Sequence, residues 1–267
     1  MIPSSYIVLD KSYLQGCRRQ DLKEILKDNR LIVCAETFHE VISSPDDEMR
    51  CCIKKLLAFT NFVDLLDHNG TLLKYEIENM KPCLPLSAYF LPHRLNPNWN
   101  YKISKAQNET IDNFHEHWEV IGTKKFDDVV YSIIDNCGRI KPEDVGRDKN
   151  VVLAAYSQLR VSESLPLPNM LDENWAIYRR LQVELIAAYE YKCSFRNGQF
   201  DINKNRKAHN QIDFRILVAA ALAGGVATRD KLIKRYFEII CPDGVLYWLK
   251  NGHNRQSRRS LSTAADF

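Results

Sequence analysis

Two short, uninterrupted apolar runs stand far apart in the chain, and each leads directly into acidic residues. Residues 6–9 are apolar and are followed by Asp10, and residues 225–227 are followed by Thr228 and then Asp230. A continuous apolar run of this length is typical of a parallel strand that is buried on both faces, and ligands bind at the carboxyl ends of such strands. The two runs therefore predict a parallel sheet built from distant parts of the chain, with acidic side chains meeting at one edge.

The first part of the chain alternates between strand-like and helix-like patterns. Apolar residues recur with a helical period in several stretches, and short apolar runs separate the first of them. The sequence predicts strands at 6–9 and 31–34 and helices over 11–27, 36–42 and 50–66.

The middle of the chain is predicted to be mainly helical. Residues 69–102 contain several prolines among aromatic residues, which indicates an irregular but packed segment. Helical periodicity predicts helices over 103–120 and 126–137, and Asp172 is a candidate N-cap for a helix over 173–192.

The last part returns to an alternation of strands and helices. Asn210 is a candidate N-cap for an Ala-rich helix over 212–223, which Gly224 and Gly225 end. After the strand that ends at Thr228, we expect a helical turn through Leu232 and Ile233. The remaining predictions are a strand at 237–241 and a terminal helix over 245–250.

Composition excludes some classes of function. Net charge is only +3, from 37 basic and 34 acidic residues, which is not typical of a strong general nucleic-acid binder. No apolar stretch reaches spanning length and no charged-then-apolar leader opens the chain, so neither membrane insertion nor secretion is expected. The eight cysteines are scattered without a CxxC pair, which indicates free thiols in a reducing cytoplasm.

Four short motifs follow one another along the two parts of the chain that share this pattern. They are Val8-Leu9-Asp10-Lys11-Ser12, an acid in the helix after the second strand, Ile212-Asp213 opening the Ala-rich helix, and Thr228-Arg229-Asp230. Together they resemble the PIN-domain nucleases, the fold of many bacterial toxin ribonucleases and of relatives of flap endonucleases. The resemblance covers about residues 5–45 and 208–250.

The resemblance implies an α/β fold of PIN-like type. Three layers are expected, α/β/α, with a central, mainly parallel sheet and a large helical insertion. Residues 1–267 would form a single PIN-like domain, built from about 1–45 and 208–250. Residues 46–207 would be the insertion, and 251–267 a basic tail.

The resemblance also implies a set of metal-binding acids. Asp10, Glu40, Asp213 and Asp230 match the family's acids in order along the chain. Glu36 lies one turn before Glu40 on the same helix face, so it is either an additional acid or the real second ligand.

Polar and basic residues complete the predicted site. Thr228 and Ser12 would hold the carboxylates or touch a phosphate oxygen. Arg229, Lys231 and Lys11 would contact the substrate backbone, although Lys11 stands where the family usually has a small residue, often Thr.

A shared cation would explain why several acids lie close together. Several carboxylates in one cleft raise one another's pKa unless a counter-charge is present. Mg²⁺ or Mn²⁺, as one or two ions, prefers oxygen ligands and can activate water for attack on a phosphodiester. The sequence therefore predicts a metal-dependent endonuclease, and the family points to an endoribonuclease of toxin or phage-defence type.

Several alternatives stay open from the sequence. An Asp after a strand is commonly a turn former or a helix cap, and Asp213 could simply favour a helix dipole near its N-terminus. Glu36 and Glu40 could be ordinary surface acids.

Substrate and partners also stay open. RNA is favoured over DNA, but nothing in the acids separates an RNA nuclease from a single-strand or flap DNA nuclease. The aromatic residues Trp99, Tyr101 and Trp118 could stack on bases or belong to the core. The sequence also leaves open a protein regulator or antitoxin, and a homo-oligomer. A different class is a non-catalytic PIN-like module that binds RNA or protein; the intact acid set argues against it, and the cation at Lys11 argues mildly for it.

Overall fold

A six-stranded sheet forms the centre of the molecule. The structure is a computed structural model that describes residues 5–92, 95–96, 141–159, 165–195, 204–250 and 253–257. The strands are β1 (Ser5–Leu9), β2 (Asn29–Cys34), β3 (Val63–Leu66), β4 (Gly225–Thr228), β5 (Val245–Lys250) and β6 (His253–Ser257). Their spatial order is β3-β2-β1-β4-β5-β6. The first five strands in this order are parallel and β6 is antiparallel to β5, so the predicted α/β class with a mainly parallel sheet is confirmed.

Helices cover both faces of this sheet. They are α1 (Lys11–Gly16), α2 (Arg19–Ile25), α3 (Ala35–Ile42), α4 (Asp46–Leu57), α5 (Asn69–Asn79), α6 (Pro142–Arg147), α7 (Lys149–Leu159), α8 (Ala176–Phe195), α9 (Lys204–Ala223) and α10 (Lys231–Ile240). On β1, Ile7 and Leu9 pack with α1 to α4, whereas Val8 packs with α5 and α8 to α10. Successive strand residues point to opposite faces, so the side chains of each unbroken apolar run are divided between two separate cores.

A smaller third core lies among α6, α7 and α8, around the buried Trp175 and Tyr178. Its long helix α8 is attached to α5 through a buried carboxylate. Glu76 of α5 accepts hydrogen bonds from the backbone N–H groups of Ala176 (2.6 Å) and Ile177 (2.9 Å). These are orphan donors of the first turn of α8, so Glu76 caps the helix from 100 positions away.

Several predicted elements in the first half of the chain are wrong in their bounds. The helix over 11–27 is two helices, α1 and α2, which are separated at Cys17 and Arg18. The helix over 50–66 ends at Leu57, and its last four residues form β3. Short apolar runs cannot be assigned to helix or strand by periodicity alone, and here pairing with β2 decides for a strand. The segment after 69 begins with helix α5, which the prolines further along concealed.

Later elements also differ from the prediction. Helix α8 begins at Ala176 rather than after Asp172, because its cap comes from Glu76. Helix α9 begins at Lys204, so Asn210 lies inside it and is not its N-cap. The helix does end at Gly224, which has the left-handed φ of 75° expected of a terminating glycine.

The predicted types of two segments near the end of the chain are wrong, because the predicted strand is a helix and the predicted helix is a strand. Residues 237–241, predicted as a strand, belong largely to α10. Residues 245–250, predicted as a helix, form β5 beside β4. Both segments are short apolar runs, and only the tertiary partners distinguish them.

Some predictions fall outside the described residues: the helices over 103–120 and 126–137, and the three aromatic residues Trp99, Tyr101 and Trp118. The division of the chain at about 45 and 208 stays a prediction, although β3 brings a strand from the assigned insertion into the sheet. Within the described residues, no helix is both long enough and apolar enough to cross a membrane.

Candidate acidic active site

The ends of β1 and β4 lie side by side in the sheet. Leu9 and Ala227 are partners in the parallel register, and the N–H of Asp10 donates a hydrogen bond of 3.0 Å to the carbonyl of Ala227. Asp10 and Thr228 are therefore the first residues to leave two neighbouring strands at the same level. The sheet thus places two predicted site residues together at its carboxyl edge, where α/β folds bind ligands.

Asp10 is only 4% exposed, and its side chain points into this edge rather than into α1. It occupies the N-cap position of α1 but makes no capping hydrogen bond with its side chain. Its Oδ2 atom instead accepts hydrogen bonds from Thr228 Oγ1 (2.7 Å) and from the Ser12 hydroxyl. The interpretation of Asp10 as a simple helix cap is therefore wrong.

Thr228 and Ser12 connect the ends of the two strands into one network. Asp230 donates its backbone N–H to Thr228 Oγ1 at 2.9 Å, and Arg229 donates its backbone N–H to Ser12 Oγ at 2.9 Å. The two hydroxyl oxygens are 3.4 Å apart. Both hydroxyls donate to the Asp10 carboxylate, and they also fix the backbone of the β4–α10 turn.

Asp230 has two roles in the structure. Its Oδ1 atom accepts from the backbone N–H groups of Leu232 (2.6 Å) and Ile233 (3.1 Å), so it is the N-cap of α10. Its charge also raises the pKa of Asp10 and of Asp213. Asp230 is therefore both the cap of α10 and a member of the acidic group.

Asp213 is buried in the interior of α9, with 8% exposure. Since α9 begins at Lys204, Asp213 is too far from the helix N-terminus to serve the dipole, which acts within the first turn. Burial raises the pKa of Asp213 well above its ordinary value, and the charges of Asp10, Asp230 and Glu40 raise it further.

Glu40 lies on α3 and completes the group. Burial, followed by the charge of Asp10, raises its pKa from 4.5 to about 7, while the charge of Lys11 lowers it. The pKa of Asp10 is likewise raised, chiefly by burial, against the hydrogen bonds from Ser12 and Thr228 that lower it. The structure therefore brings Asp10, Glu40, Asp213 and Asp230 into one electrostatic neighbourhood.

Glu36 is not part of that neighbourhood. Its carboxylate is buried, and Oε1 lies 3.3 Å from the backbone N of Asn69, which donates to it, and 3.4 Å from His68 Nε2. Its charge does not figure among the causes that raise the pKa of Asp10, Glu40 or Asp213. Of the two candidates on α3, Glu40 is the one that faces the acids.

The three predicted phosphate contacts differ in their surroundings. Arg229 and Lys231 are exposed beside the β4–α10 turn, and Lys11 is half-buried near Glu40. The Arg229 side chain lies so close over Gly16 that a Cβ there would be 2.3 Å from its Nη1 atom. Gly16 thus leaves room for the Arg229 guanidinium next to the site.

Sequence reasoning missed two polar residues beside Glu36, His68 and Asn69, which follow β3. Because residues 63–66 are predicted as part of a helix, the position of His68 and Asn69 at the carboxyl end of a strand is concealed. Recognition of residues 63–66 as a strand would have made His68 and Asn69 candidates by the same rule that selected Asp10.

The acids suit a hard divalent cation in their chemistry. They offer only oxygen donors, and burial, together with the charges of neighbouring acids, raises the pKa of Asp10, Glu40 and Asp213, an effect that a bound cation would oppose. In the part of the chain that the structure describes, no group of three or more His, Cys, Asp or Glu side chains is already arranged to hold a metal ion.

Comparison of the chain with protein-family models, with curated proteins and with solved structures gave no match.

Proposed function

We propose that this protein is a metal-dependent endonuclease of PIN-like type that hydrolyses phosphodiester bonds, with RNA as its substrate. The observation that carries the proposal is the burial of Asp213, which raises its pKa, together with the charges of Asp10, Asp230 and Glu40, which raise it further. Asp10 and Asp230 stand where β1 and β4 end, whereas Asp213 and Glu40 come from α9 and α3. Repelling carboxylates that are buried together are costly to the fold, so a site that keeps them has a use for the cation that relieves the repulsion.

Asp10, Asp213 and Asp230 are the residues that would hold Mg²⁺ or Mn²⁺, as one ion or two. Such an ion, when bound, supplies activation of water and stabilisation of the charge that develops on the phosphate. Asp213 and Asp10 bring two buried carboxylates from α9 and from the end of β1. Asp230 adds a third carboxylate, with its Oδ1 atom already fixed by the first turn of α10.

Glu40 would be a further ligand of the ion, or it would accept a proton from water or orient it. Its pKa of about 7 lies where a general base is most effective at neutral pH. Ser12 and Thr228 hold Asp10 in place, since both hydroxyls donate to its Oδ2 atom. Three basic residues would neutralise the phosphates of a bound strand, namely Lys11, Arg229 and Lys231, which directly follow Asp10, Thr228 and Asp230 in the chain.

A toxin or defence role, in the cytoplasm and under a protein regulator, would follow from PIN-like identity. The choice of RNA over DNA has the same basis, because carboxylates and a metal act equally on both backbones. A single-strand or flap DNA nuclease is therefore the alternative within the same chemistry.

A non-catalytic PIN-like module that binds RNA or protein is the second candidate. Two observations favour it: the described acids are not yet arranged around a metal position, and the Lys11 charge already acts on Glu40. In that case Lys11 would take over part of the neutralisation that a metal would otherwise provide.

Digestion of labelled RNA and single-stranded DNA, each with Mg²⁺, Mn²⁺ or EDTA, distinguishes these functions. The endoribonuclease proposal predicts internal cleavage of RNA that requires a divalent ion and is lost in Asp10→Asn with the circular dichroism spectrum unchanged. Cleavage of DNA alone would support the alternative substrate. Binding of RNA or protein with no cleavage under any ion would support the non-catalytic module.

A further inference from the structure

Two acids of the site lie on helices, so the distance between them depends on how α3 and α9 are placed. These are Glu40 on α3 and Asp213 on α9, and the two helices are in contact. Asp10 and Asp230 instead stand close to the ends of β1 and β4, where strand pairing fixes the backbone. A contact that holds α3 and α9 together therefore determines whether all four acids can reach one ion.

Asn69 makes such a contact. It is the first residue of α5 and is 5% exposed. Its backbone N–H donates to Glu36 Oε1 on α3 at 3.3 Å, and its side-chain Nδ2 donates to the backbone carbonyl of Arg215 on α9 at 2.5 Å. One buried residue is thus bonded to both helices that carry acids of the site.

Both bonds lie close to these acids along the helices. Glu36 is four residues before Glu40, so the bond on α3 is about 6 Å along the helix axis from that acid. Arg215 is two residues after Asp213, so the bond on α9 is about 3 Å along the axis from that acid. A displacement at either bond is therefore transmitted to an acid within about one helical turn.

The first turn of α5 is itself fixed at the end of the sheet. Asp67, the residue after β3, donates its backbone N–H to the carbonyl of Tyr89 at 3.1 Å. Its carboxylate accepts from the backbone N–H of His68 (2.7 Å) and from the Thr71 hydroxyl (3.0 Å). Asn69 therefore ties α3 and α9 to a point that the end of β3 holds in place.

This connection is not optimised for stability. Asn69 Oδ1 and Glu36 Oε2 are buried and have no hydrogen-bond partner in the described part of the chain. A buried polar atom without a partner lowers the stability of a fold, and an apolar side chain would avoid that cost. The helices that Asn69 connects explain its amide better than the stability that the amide adds.

We propose that Asn69 is a positioning residue, which holds Glu40 and Asp213 at the separation from which both can bind one divalent ion. The inference rests on the proposed metal-dependent function. It names a residue outside the acids on which the affinity for that ion depends.

Calorimetric titration with Mn²⁺ tests this role without any nucleic acid. Asn69→Ala removes the Nδ2 donor and keeps the backbone N–H that donates to Glu36. Asn29→Ala is the matched control, because Asn29 is 3% exposed and its Nδ2 donates to the Ile25 carbonyl (2.9 Å) and the Tyr247 hydroxyl (3.1 Å). Asn29 begins β2, so it lies at the opposite edge of the sheet from the acids.

Asn69→Ala is expected to bind Mn²⁺ about tenfold more weakly, the lower end of the range for groups that orient metal ligands. Asn29→Ala should bind Mn²⁺ as the wild type does, although both variants lose a buried hydrogen bond and should melt at a lower temperature. If the wild type cleaves RNA, raising the Mn²⁺ concentration about tenfold should restore cleavage by Asn69→Ala.

A double-mutant cycle separates positioning from a general loss of order. In a Glu40→Gln background there is one carboxylate fewer to position, so Asn69→Ala should weaken Mn²⁺ binding by only about twofold. The same tenfold loss in both backgrounds would overturn the role of Asn69 in placing Glu40.

Unchanged Mn²⁺ affinity in Asn69→Ala would overturn the inference and leave the proposed function intact. If the wild type binds Mn²⁺ but cleaves no nucleic acid, the nuclease proposal fails while the titrations still decide the role of Asn69. If the wild type binds no Mn²⁺, both fail together. If Asn69→Ala does not fold, the same titration decides with Asn69→Ser, whose shorter side chain does not reach the Arg215 carbonyl.

Discussion

Thr228 Oγ1 donates a hydrogen bond of 2.7 Å to Asp10 Oδ2, across 218 positions of the chain. The same hydroxyl oxygen accepts the backbone N–H of Asp230 at 2.9 Å. One buried side chain therefore fixes the carboxylate at the end of β1 and the backbone of the acid that begins α10. This arrangement makes Thr228 the residue through which the two distant parts of the site are held in register.

Replacement of Thr228 by valine is expected to reduce cleavage about 10- to 100-fold, the range seen when groups that orient metal ligands are lost. Valine has nearly the same shape but cannot donate to Asp10 or accept from Asp230. The partly buried N–H of Asp230 loses its acceptor and the buried Asp10 carboxylate loses a donor, so the free energy of unfolding should fall by about 1–3 kcal/mol. Both quantities can be measured, by single-turnover cleavage and by urea denaturation.

Thr228→Ser is the matched control, because it keeps the hydroxyl and removes only a methyl group. It should retain most of the activity that Thr228→Val loses. Equal activity of the valine and serine variants would show that the hydroxyl does not organise the site.

A pair of substitutions separates the two roles of Asp230, as a helix cap and as a charged member of the acidic group. Asp230→Asn keeps an oxygen that accepts from Leu232 and Ile233, so the cap of α10 should survive and the melting temperature should stay nearly constant. Asp230→Ala also removes the cap, at a cost of about 1 kcal/mol. Both variants should lose cleavage to the same extent, because both lack the charge. If the Asp230→Asn variant were active, Asp230 would serve only as a helix cap.

The centre of the fold could be predicted from the sequence because its signals are local. The runs 6–9 and 225–227 are unbroken and apolar, and both form buried strands as predicted, which the structure places side by side. The end of α9 at Gly224 is also predictable, since it depends on the conformation of one glycine. The grouping of Asp10 with Asp213 comes from the resemblance to PIN-domain nucleases and from no local pattern.

The remaining elements could not be predicted because distant residues decide them. Helix α8 begins at Ala176 because Glu76 caps it, a contact that no local pattern reveals. Strands β3 and β5 are apolar runs that are strands only because β2 and β4 pair with them. His68 and Asn69 were missed for the same reason, since they follow β3.

The raised pKa of Glu40 predicts a pH-dependent difference in stability between wild type and Glu40→Gln. Glu40 binds its proton more tightly in the folded state, with a pKa of about 7, than at its ordinary value of 4.5. The unfolded state therefore binds fewer protons in this interval, so the contribution of Glu40 to metal-free stability is lost as pH rises from about 4.5 to 7.

Without metal, the two proteins should melt together at low pH, and Glu40→Gln should be the more stable above neutral pH. The difference should be on the order of 3 kcal/mol. Melting temperatures measured in EDTA from acid to alkaline pH give the curve. A constant difference, or one that grows toward acid, would contradict the raised pKa.

Glu36→Gln and Glu40→Gln form a matched pair on one helix, one turn apart. Glu40→Gln should weaken Mn²⁺ binding about 10- to 100-fold, because it removes a carboxylate that faces the other acids. Glu36→Gln should leave Mn²⁺ binding unchanged, because Glu36 is engaged with Asn69 and His68. Calorimetric titration with Mn²⁺ measures both. The reverse result would make Glu36 the second ligand and would require α3 to turn.

Asp213→Asn is expected to make the metal-free protein more stable at neutral pH while abolishing its activity. Asp213 is buried among Asp10, Asp230 and Glu40, which together with burial raise its pKa. An amide of the same shape removes the repelling charge, so the melting temperature in EDTA should rise. In wild type, Mn²⁺ should stabilise the fold by mass action, whereas this shift should be small or absent in Asp213→Asn. A variant that is less stable in EDTA but still gains stability from Mn²⁺ would mean that Asp213 is a structural acid and that the cation binds elsewhere. Greater stability without metal, combined with no response to metal, would show that Asp213 serves to bind the ion. A purely structural residue would not be expected to lower the stability of its own fold.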